Sequence, residues 1–133
     1  MSSRVRHFRM LSWCIALCCV LPGCGGPARA KPVKVDLARK TLAQVLDHWK
    51  SGGNIDELRK RKPEVVAQDF FWIKGMKLQE YRILDDGHPE NASLRCEVEL
   101  TLLPEDGGAP VKKTVNYLVG TDPVLTVFRE MGG

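Results

Sequence analysis

Residues 93–102 read Ser-Leu-Arg-Cys-Glu-Val-Glu-Leu-Thr-Leu, a segment in which apolar and polar side chains alternate. Successive side chains of a β-strand point to opposite faces, so this alternation predicts a strand with one buried face and one solvated face. Such strands are typical of an antiparallel sheet that covers a core on one side. The predicted buried row consists of Leu94, Cys96, Val98, Leu100 and Leu102.

Further strand patterns lie on both sides of this segment. Strands are predicted at residues 78–84, 111–119 and 124–129, which gives a meander of about four strands. The separating segments 85–89, 104–108 and 120–123 are rich in Asp, Gly and Pro, which favour turns. In the strand at 111–119, the residues predicted to face inward are Val111, Val115, Tyr117 and Val119.

Two helices are predicted before the strands. The first begins at Val35 and ends at Gly52-Gly53. The second begins at Asn54, which with Glu57 forms a capping-box pattern, and runs to Lys62. Residues 63–75 are apolar without a clear period and stay unclassified. The apolar stripe of the first helix contains Leu37, Ala38, Leu42, Val45, Leu46 and Trp49.

These elements predict an α+β fold with one or two N-terminal helices packed on a curved antiparallel sheet. Their order resembles the rolls of the NTF2-like and cystatin-like superfamilies. The Trp-x-x-Gly turn at residues 72–75 and the Val-Gly-Thr-Asp-Pro-Val segment at 119–124 are similar to small exported lipoproteins of planctomycete-type bacteria whose roles are uncharacterised. The resemblance covers most of residues 35–130, and it implies a fold more strongly than a function.

The N-terminal segment predicts export. Residues 2–9 carry three arginines and no acid, and residues 10–21 are mostly apolar and uncharged. This is the pattern of a signal peptide. The apolar run is shorter than the about 20 residues that a membrane-spanning helix needs. Leu21-Pro22-Gly23-Cys24 at its end resembles a bacterial lipobox, which implies cleavage after residue 23 and acylation of Cys24.

A lipid-anchored domain in the cell envelope is the expected mature form. We expect an export signal at 1–23, a lipid-anchor cysteine and flexible tether at 24–34, and a single domain at 35–133. The residue after Cys24 is Gly25, whereas an aspartate at this position would signal retention in the inner membrane. In bacteria with two membranes, the lipobox resemblance therefore implies that the protein is sorted to the outer membrane and faces the periplasm. The alternative is signal cleavage after Ala30, which would leave a soluble secreted or periplasmic protein.

Composition limits the chemistry of the mature chain. Removing residues 1–23 leaves 17 basic and 16 acidic side chains, a balance that provides no long-range attraction for nucleic acid. The same cleavage leaves Cys24 and Cys96 as the last cysteines. With Cys24 acylated, Cys96 has no partner for an intramolecular disulfide, and we predict that it packs in the core.

The sequence contains no phosphate loop, nucleophile elbow or paired-histidine motif, so no catalytic residue, metal site or cofactor is predicted. We expect a non-catalytic domain that binds an unknown protein, wall or small-molecule partner. The alternative, implied by the NTF2-like resemblance, is a ligand pocket or enzyme in which Asp69 or His48 acts as a base. Both residues also have an ordinary structural interpretation. Asp69 would cap a helical turn with its side chain in water, and His48 would be partly exposed on the first helix.

Aromatic residues supply the candidates for a ligand pocket. Aromatic side chains at the ends of elements can line a cavity, although they also pack in ordinary cores. The candidate lining residues are Trp49, Asp69, Phe70, Phe71, Trp72 and Tyr117.

A separate basic cluster, Arg59-Lys60-Arg61-Lys62, is expected to be solvated at a helix C-terminus or to contact anionic headgroups.

Overall fold

A computed structural model describes residues 31–132. The predicted signal peptide, the anchor Cys24 and the alternative cleavage site at Ala30 lie outside the described residues. Within the described part, no helix is long and apolar enough to cross a membrane. The elements are α1 (Val35–Lys50), a 3-10 helix (Ile55–Lys60), β1 (Val65–Gln68), α2 (Phe70–Ile73), β2 (Lys77–Ile83), β3 (His88–Glu90), β4 (Ser93–Leu103), β5 (Val111–Gly120) and β6 (Leu125–Arg129).

The strands form one curled, mostly antiparallel sheet in the order β1-β6-β5-β4-β2, with β3 also paired to β4. The β1–β6 pair is parallel, with Val65 opposite Leu125. Six strands are therefore present where about four were predicted. The α+β class and the helix-on-sheet arrangement are confirmed. The additional strands are β1 and β3, each of which is too short for a period-two pattern to be recognised.

The central strand β4 has the predicted orientation. All five side chains of its predicted inward row are buried, and none is more than 1% exposed. The prediction for β5 is correct for Tyr117 and Val119 but wrong for Val111, which is 38% exposed. Val111 begins β5 directly after residues 105–110, which are all exposed, and Lys113 further along the strand is exposed as well. The first half of β5 therefore extends beyond the packed core.

Helix α1 lies across the apolar face of the sheet and contacts β2, β4, β5 and β6. It ends as predicted, because Gly52 has a φ of +85°, a conformation that glycine adopts without strain. At the start of the described chain, the backbone N–H groups of Lys31 and Lys34 donate to Asp122 Oδ2 and Thr121 Oγ1. The buried residues of α1 are Ala38, Thr41, Leu42, Val45, Leu46 and Trp49.

The second predicted helix is a 3-10 helix and ends at Lys60 rather than Lys62. Its capping box is present: the Asn54 side chain accepts from the Asp56 backbone N–H at 2.8 Å, and Glu57 Oε1 accepts from the Asn54 backbone N–H at 3.1 Å. Arg61 already has an extended backbone, because the chain turns here towards Pro63 and β1. Leu58 is fully buried and attaches this helix to the core.

Candidate functional site

Asp69 occupies the junction between β1 and α2, and it is buried, with only 4% of its surface exposed. It caps α2 as predicted: Oδ1 accepts from the backbone N–H groups of Phe71 and Trp72 at 2.8 and 3.3 Å. The expectation that the carboxylate lies in water is wrong. Oδ2 accepts a hydrogen bond from the hydroxyl of Tyr117, and Arg129 Nε lies 3.6 Å from Oδ1. The carboxylate is thus fully engaged inside the domain.

Tyr117 and Arg129 complete this buried polar cluster. Burial raises the pKa of Tyr117 well above its ordinary value, and the neighbouring negative charge of Asp69 and its hydrogen bond raise it further. The Tyr117 hydroxyl therefore remains a donor. Arg129 places its guanidinium carbon 3.9 Å from the ring centre of Phe71, in a cation–π contact. Arg129 Nε is buried, and its N–H donates no hydrogen bond among the described residues.

Two tryptophans join three segments of the chain. The indole rings of Trp49 and Trp72 stack at 5.1 Å between centroids with an interplanar angle of 7°. Trp49 Nε1 donates to the carbonyl of Met76 at 2.9 Å, and Trp72 Nε1 donates to the carbonyl of Gly53 at 3.2 Å. The pair therefore ties α1, the loop after it and the approach to β2 together. Both indole N–H groups are satisfied within the domain.

His48 is held on both sides of its ring. Nε2 lies 2.9 Å from the carbonyl oxygen of Asn54, and Nδ1 lies 3.0 Å from an Arg61 guanidinium nitrogen. A carbonyl can only accept and a guanidinium can only donate, so this pair of contacts assigns the proton to Nε2. The ring also fills the space beside Gly53, where an added Cβ would lie 2.2 Å from it. His48 therefore has a structural role between α1 and the 3-10 helix.

Cys96 lies in the core as predicted, with 1% of its surface exposed. Burial raises the pKa of its thiol to about 11, with a further contribution from the negative charge of Asp85, while Arg39 acts in the opposite direction. The thiol is therefore protonated near neutral pH, and a protonated thiol is a poor nucleophile.

Trp49 and Trp72 line a cleft of about 720 Å³, here called the indole cleft, which is open to solvent. Trp49 and Trp72 are the two candidate lining residues that reach it. Asp69 and Tyr117 lie in the core instead, and Phe70 is 44% exposed on α2, where the Lys74 ammonium lies 4.2 Å from its ring centre. The cleft is also lined by residues 52–57, Arg59, Ala67, Gln68, Ile73, Gly75, Met76 and Lys77.

Sequence reasoning missed Arg129 and Ile73. A signal for Arg129 was present, because it follows Leu125 and Val127 at alternate positions and so belongs to the inward row of β6. A cation in an inward row needs a buried partner, which here is Asp69. Ile73 carried no comparable signal, since its 65% exposure depends on how the short helix α2 sits on the domain. Within residues 31–132, no group of His, Cys, Asp and Glu side chains is arranged to hold a metal ion.

The chain matches no protein-family model, no curated protein and no solved structure. The resemblance to NTF2-like and cystatin-like rolls therefore stays a prediction.

Proposed function

We propose that this chain is a lipid-anchored protein of the bacterial cell envelope whose domain binds a partner without catalysing a reaction. The observation that carries the proposal is the engagement of its candidate reactive groups. Asp69 is paired with Tyr117 and Arg129, and His48 contacts Asn54 and Arg61 through its two ring nitrogens. A general base must reach the proton that it abstracts, and neither group borders the indole cleft.

The anchor is proposed from the N-terminal sequence. The arginines of residues 2–9, the apolar run to Leu21 and the position of Cys24 support processing as a lipoprotein. Acylation by more than one chain would make the attachment stable, at about 0.8 kcal/mol for each buried methylene. The outer membrane is the proposed location in bacteria with two membranes. A soluble form beginning at Lys31, after cleavage at Ala30, is the alternative location.

We also propose that the domain is an NTF2-like or cystatin-like roll. A long N-terminal helix lying in a curled, mostly antiparallel sheet supports an NTF2-like or cystatin-like roll. In such a roll we expect a binding site at the open end of the sheet, and the indole cleft, lined by residues from the end of α1 and the start of β2, is our candidate for it.

Binding of a small molecule is the second candidate function. It is favoured by the volume of the indole cleft, about 720 Å³, which falls within the range of about 300–1,000 Å³ that is typical of ligand sites. A pocket enzyme that uses Asp69 or His48 would need one of these side chains to turn out of its present hydrogen bonds. Asp69 would then leave the buried guanidinium of Arg129 without a counterion.

Replacing Cys24 by alanine tests the anchor. We expect the Cys24→Ala chain to leave the membrane fraction or to accumulate with its signal peptide uncleaved, as measured by fractionation and intact mass. A matched Cys96→Ala chain is the control, because Cys96 is buried in the domain. Normal cleavage and unchanged membrane fractionation of Cys24→Ala would contradict the anchor.

A native mass spectrum of the full-length protein, extracted gently from its own membranes, separates the two candidate functions. A lipidated chain without a bound ligand supports a domain that binds protein or wall partners. A stoichiometric small molecule supports the second candidate, and its mass gives the class of ligand.

A further inference from the structure

Strand β5 is paired along its whole length on one side and along only part of it on the other. On one side, β4 is matched to every residue of Val111–Gly120. On the other side, β6 is matched only to Tyr117–Gly120, and the last backbone contact is the Glu130 N–H, which donates to the Asn116 carbonyl at 2.8 Å. Residues 111–115, here called the β5 edge, therefore have no strand partner on that side within the described part of the chain.

The β5 edge presents free backbone groups in a regular order. In an antiparallel sheet, the backbone groups of successive residues in a strand point alternately to its two neighbours. Because the Asn116 carbonyl points towards β6, the N–H and C=O groups of Thr114 and Lys112 point to the same side. No strand between residues 31 and 132 pairs with Lys112 or Thr114 on that side. A row of free donors and acceptors of this kind is a template for an added strand.

The two outer strands of the sheet are less open to an added strand. One of them, β1, is in contact with the 3-10 helix. The other, β2, has an irregularity between Leu78 and Glu80, where its register with β4 shifts, and bulges commonly protect edge strands. In contrast, the β5 edge keeps an unbroken register with β4, and Lys112, Lys113 and Thr114 are all exposed.

The side chains of the β5 edge give it a positive charge that no salt bridge neutralises. Lys112 and Lys113 take part in no ion pair among residues 31–132. Two acids close to the edge are paired with arginines instead: Glu99 lies 3.8 Å from Arg82, and Glu130 lies 2.6 Å from an arginine of β4. The edge therefore favours acidic segments over basic ones.

Strand β4 shows which kind of strand fits beside these residues. It places acidic and hydroxyl side chains on the solvated face, opposite Lys112 and Thr114, and apolar side chains on the inner face. The paired segment reads Glu97-Val98-Glu99-Leu100-Thr101. The side chains of an added strand would alternate between the same two faces. A segment with acids at alternate positions and apolar residues between them is therefore the expected match.

A second copy of this chain fits the edge poorly. Antiparallel pairing of two β5 edges centred on Lys113 would set the two Lys113 side chains directly opposite each other. Like charges in directly opposite positions destabilise a sheet. The lysines thus disfavour self-association while they leave the edge open to an acidic strand.

We infer that the β5 edge binds an extended acidic segment of a partner protein, which adds to the sheet as a strand beside residues 111–115. This inference names the class of partner for the proposed function, and it rests on that function because it requires a domain that acts by binding. The backbone groups of Lys112 and Thr114 hold the added strand, and the two lysines select acidic over basic segments. No residue of the β5 edge lines the indole cleft, so the two surfaces are tested separately.

A charge exchange between the edge and a synthetic peptide tests the selectivity. The probe is a fluorescein-labelled peptide of residues 96–102 with Cys96→Ser, and the reversed probe also carries Glu97→Lys and Glu99→Lys. Fluorescence anisotropy measures their affinity for the full-length protein in phosphatidylcholine nanodiscs. We expect the parent protein to bind the acidic probe at least tenfold more tightly than the reversed probe.

The double variant Lys112→Glu with Lys113→Glu is expected to invert this preference. Lys77→Glu is the matched control, because Lys77 is an exposed lysine on the outer strand β2. It is expected to keep the preference of the parent. Absence of binding by the acidic probe, or equal affinity of the parent for both probes, would overturn the inference.

A proline on the free side tests strand addition separately from charge. The N–H of Thr114 points away from β4, so Thr114→Pro removes no hydrogen bond of the β4–β5 ladder, and proline is tolerated at such edge positions. We expect Thr114→Pro to lower the affinity for the acidic probe at least tenfold, and Thr114→Ala, which keeps the N–H, to leave it unchanged. Unchanged affinity of a folded Thr114→Pro chain would contradict strand addition. If this variant fails to fold, the charge exchange remains decisive.

Two further measurements identify other occupants of the edge. Binding of phosphatidylglycerol vesicles that is lost in the double lysine variant, without binding of the acidic probe, would assign the edge to a membrane surface and overturn the inference. A dimer in sedimentation that dissociates with Thr114→Pro would overturn it in favour of a second copy of the chain.

The result is separable from the test of the anchor. The double lysine variant is expected to leave membrane fractionation unchanged, and Cys24→Ala is expected to leave probe affinity unchanged. Loss of the anchor with retained, lysine-dependent probe binding would contradict the proposed location alone. An intact anchor without probe binding would contradict the role of the β5 edge alone.

Discussion

Replacing Asp69 by alanine removes one carboxylate from three contacts at once. The helix α2 loses its cap, which costs about 1 kcal/mol in typical proteins. The hydroxyl of Tyr117, which is 1% exposed, loses its acceptor, and an unsatisfied buried polar group costs about 1–3 kcal/mol. The guanidinium of Arg129, with a side chain 10% exposed, loses its counterion, and breaking a buried pair costs about 3–5 kcal/mol.

These costs overlap, because all three groups share one site and rearrange together. We therefore expect Asp69→Ala to lower the free energy of unfolding by about 4 kcal/mol, a large part of the about 5–15 kcal/mol that stabilises a typical domain. Urea unfolding followed by tryptophan fluorescence measures the loss, since Trp72 follows the capped turn directly. Tyr117→Phe, which removes one hydrogen bond to a charged group, is expected to cost about 2 kcal/mol.

Two comparisons make this prediction decisive. Asp106→Ala is the matched control, because Asp106 is exposed and accepts only from the Gly108 backbone N–H at 2.9 Å among the described residues. Its cost is expected to stay within about 0.5 kcal/mol. The double variant Asp69→Ala with Arg129→Met is expected to be more stable than Asp69→Ala alone, because it removes the unpaired buried charge. Equal costs for Asp69→Ala and Asp106→Ala would refute the role of the buried cluster.

Two further predictions concern the loop after α1 and the phenols of Tyr81, which is half-buried, and Tyr117, which is buried. Gly53→Ala is expected to cost about 2 kcal/mol and to alter tryptophan emission, because the added Cβ would lie 2.2 Å from the His48 ring; urea unfolding that matches the parent would contradict this contact. Burial raises the pKa of Tyr81 to about 12, and it raises the pKa of Tyr117 well above its ordinary value. In the unfolded chain both phenols ionise near pH 10, whereas in the folded domain they remain neutral at that pH. Stability from these groups is therefore complete below about pH 10 and is lost as the pH rises towards 12 and beyond, and a titration of tyrosinate absorbance with ordinary midpoints would contradict it.

The local elements of the fold were predictable because their patterns are contained within short segments. The alternation through β4 identified its buried row, and the stripe along α1 identified the face that packs on the sheet. The cap at Asn54 was predicted from a spacing of three residues. In each case, the side chains that decide the structure are neighbours in the chain.

The candidate site was predicted only in part. Trp49 and Trp72 were named among its residues, yet their stacking joins segments that are far apart in the sequence. The sequence around Asp69 indicated a turn and a helix cap. Either can form at the surface or in the core, so the sequence did not predict that the Asp69 side chain is buried. Its burial depends on Tyr117 and Arg129, which approach from β5 and β6.

The amino-acid sequence sufficed for the α+β class, the inward face of β4 and the extent of α1, because hydrophobic periodicity and capping act over a few residues. The pairing of β1 with β6, the burial of Asp69 and the formation of the indole cleft required the assembled domain. Each of these features brings together residues from distant segments, and their free energy depends on which surfaces are removed from water when the whole chain packs.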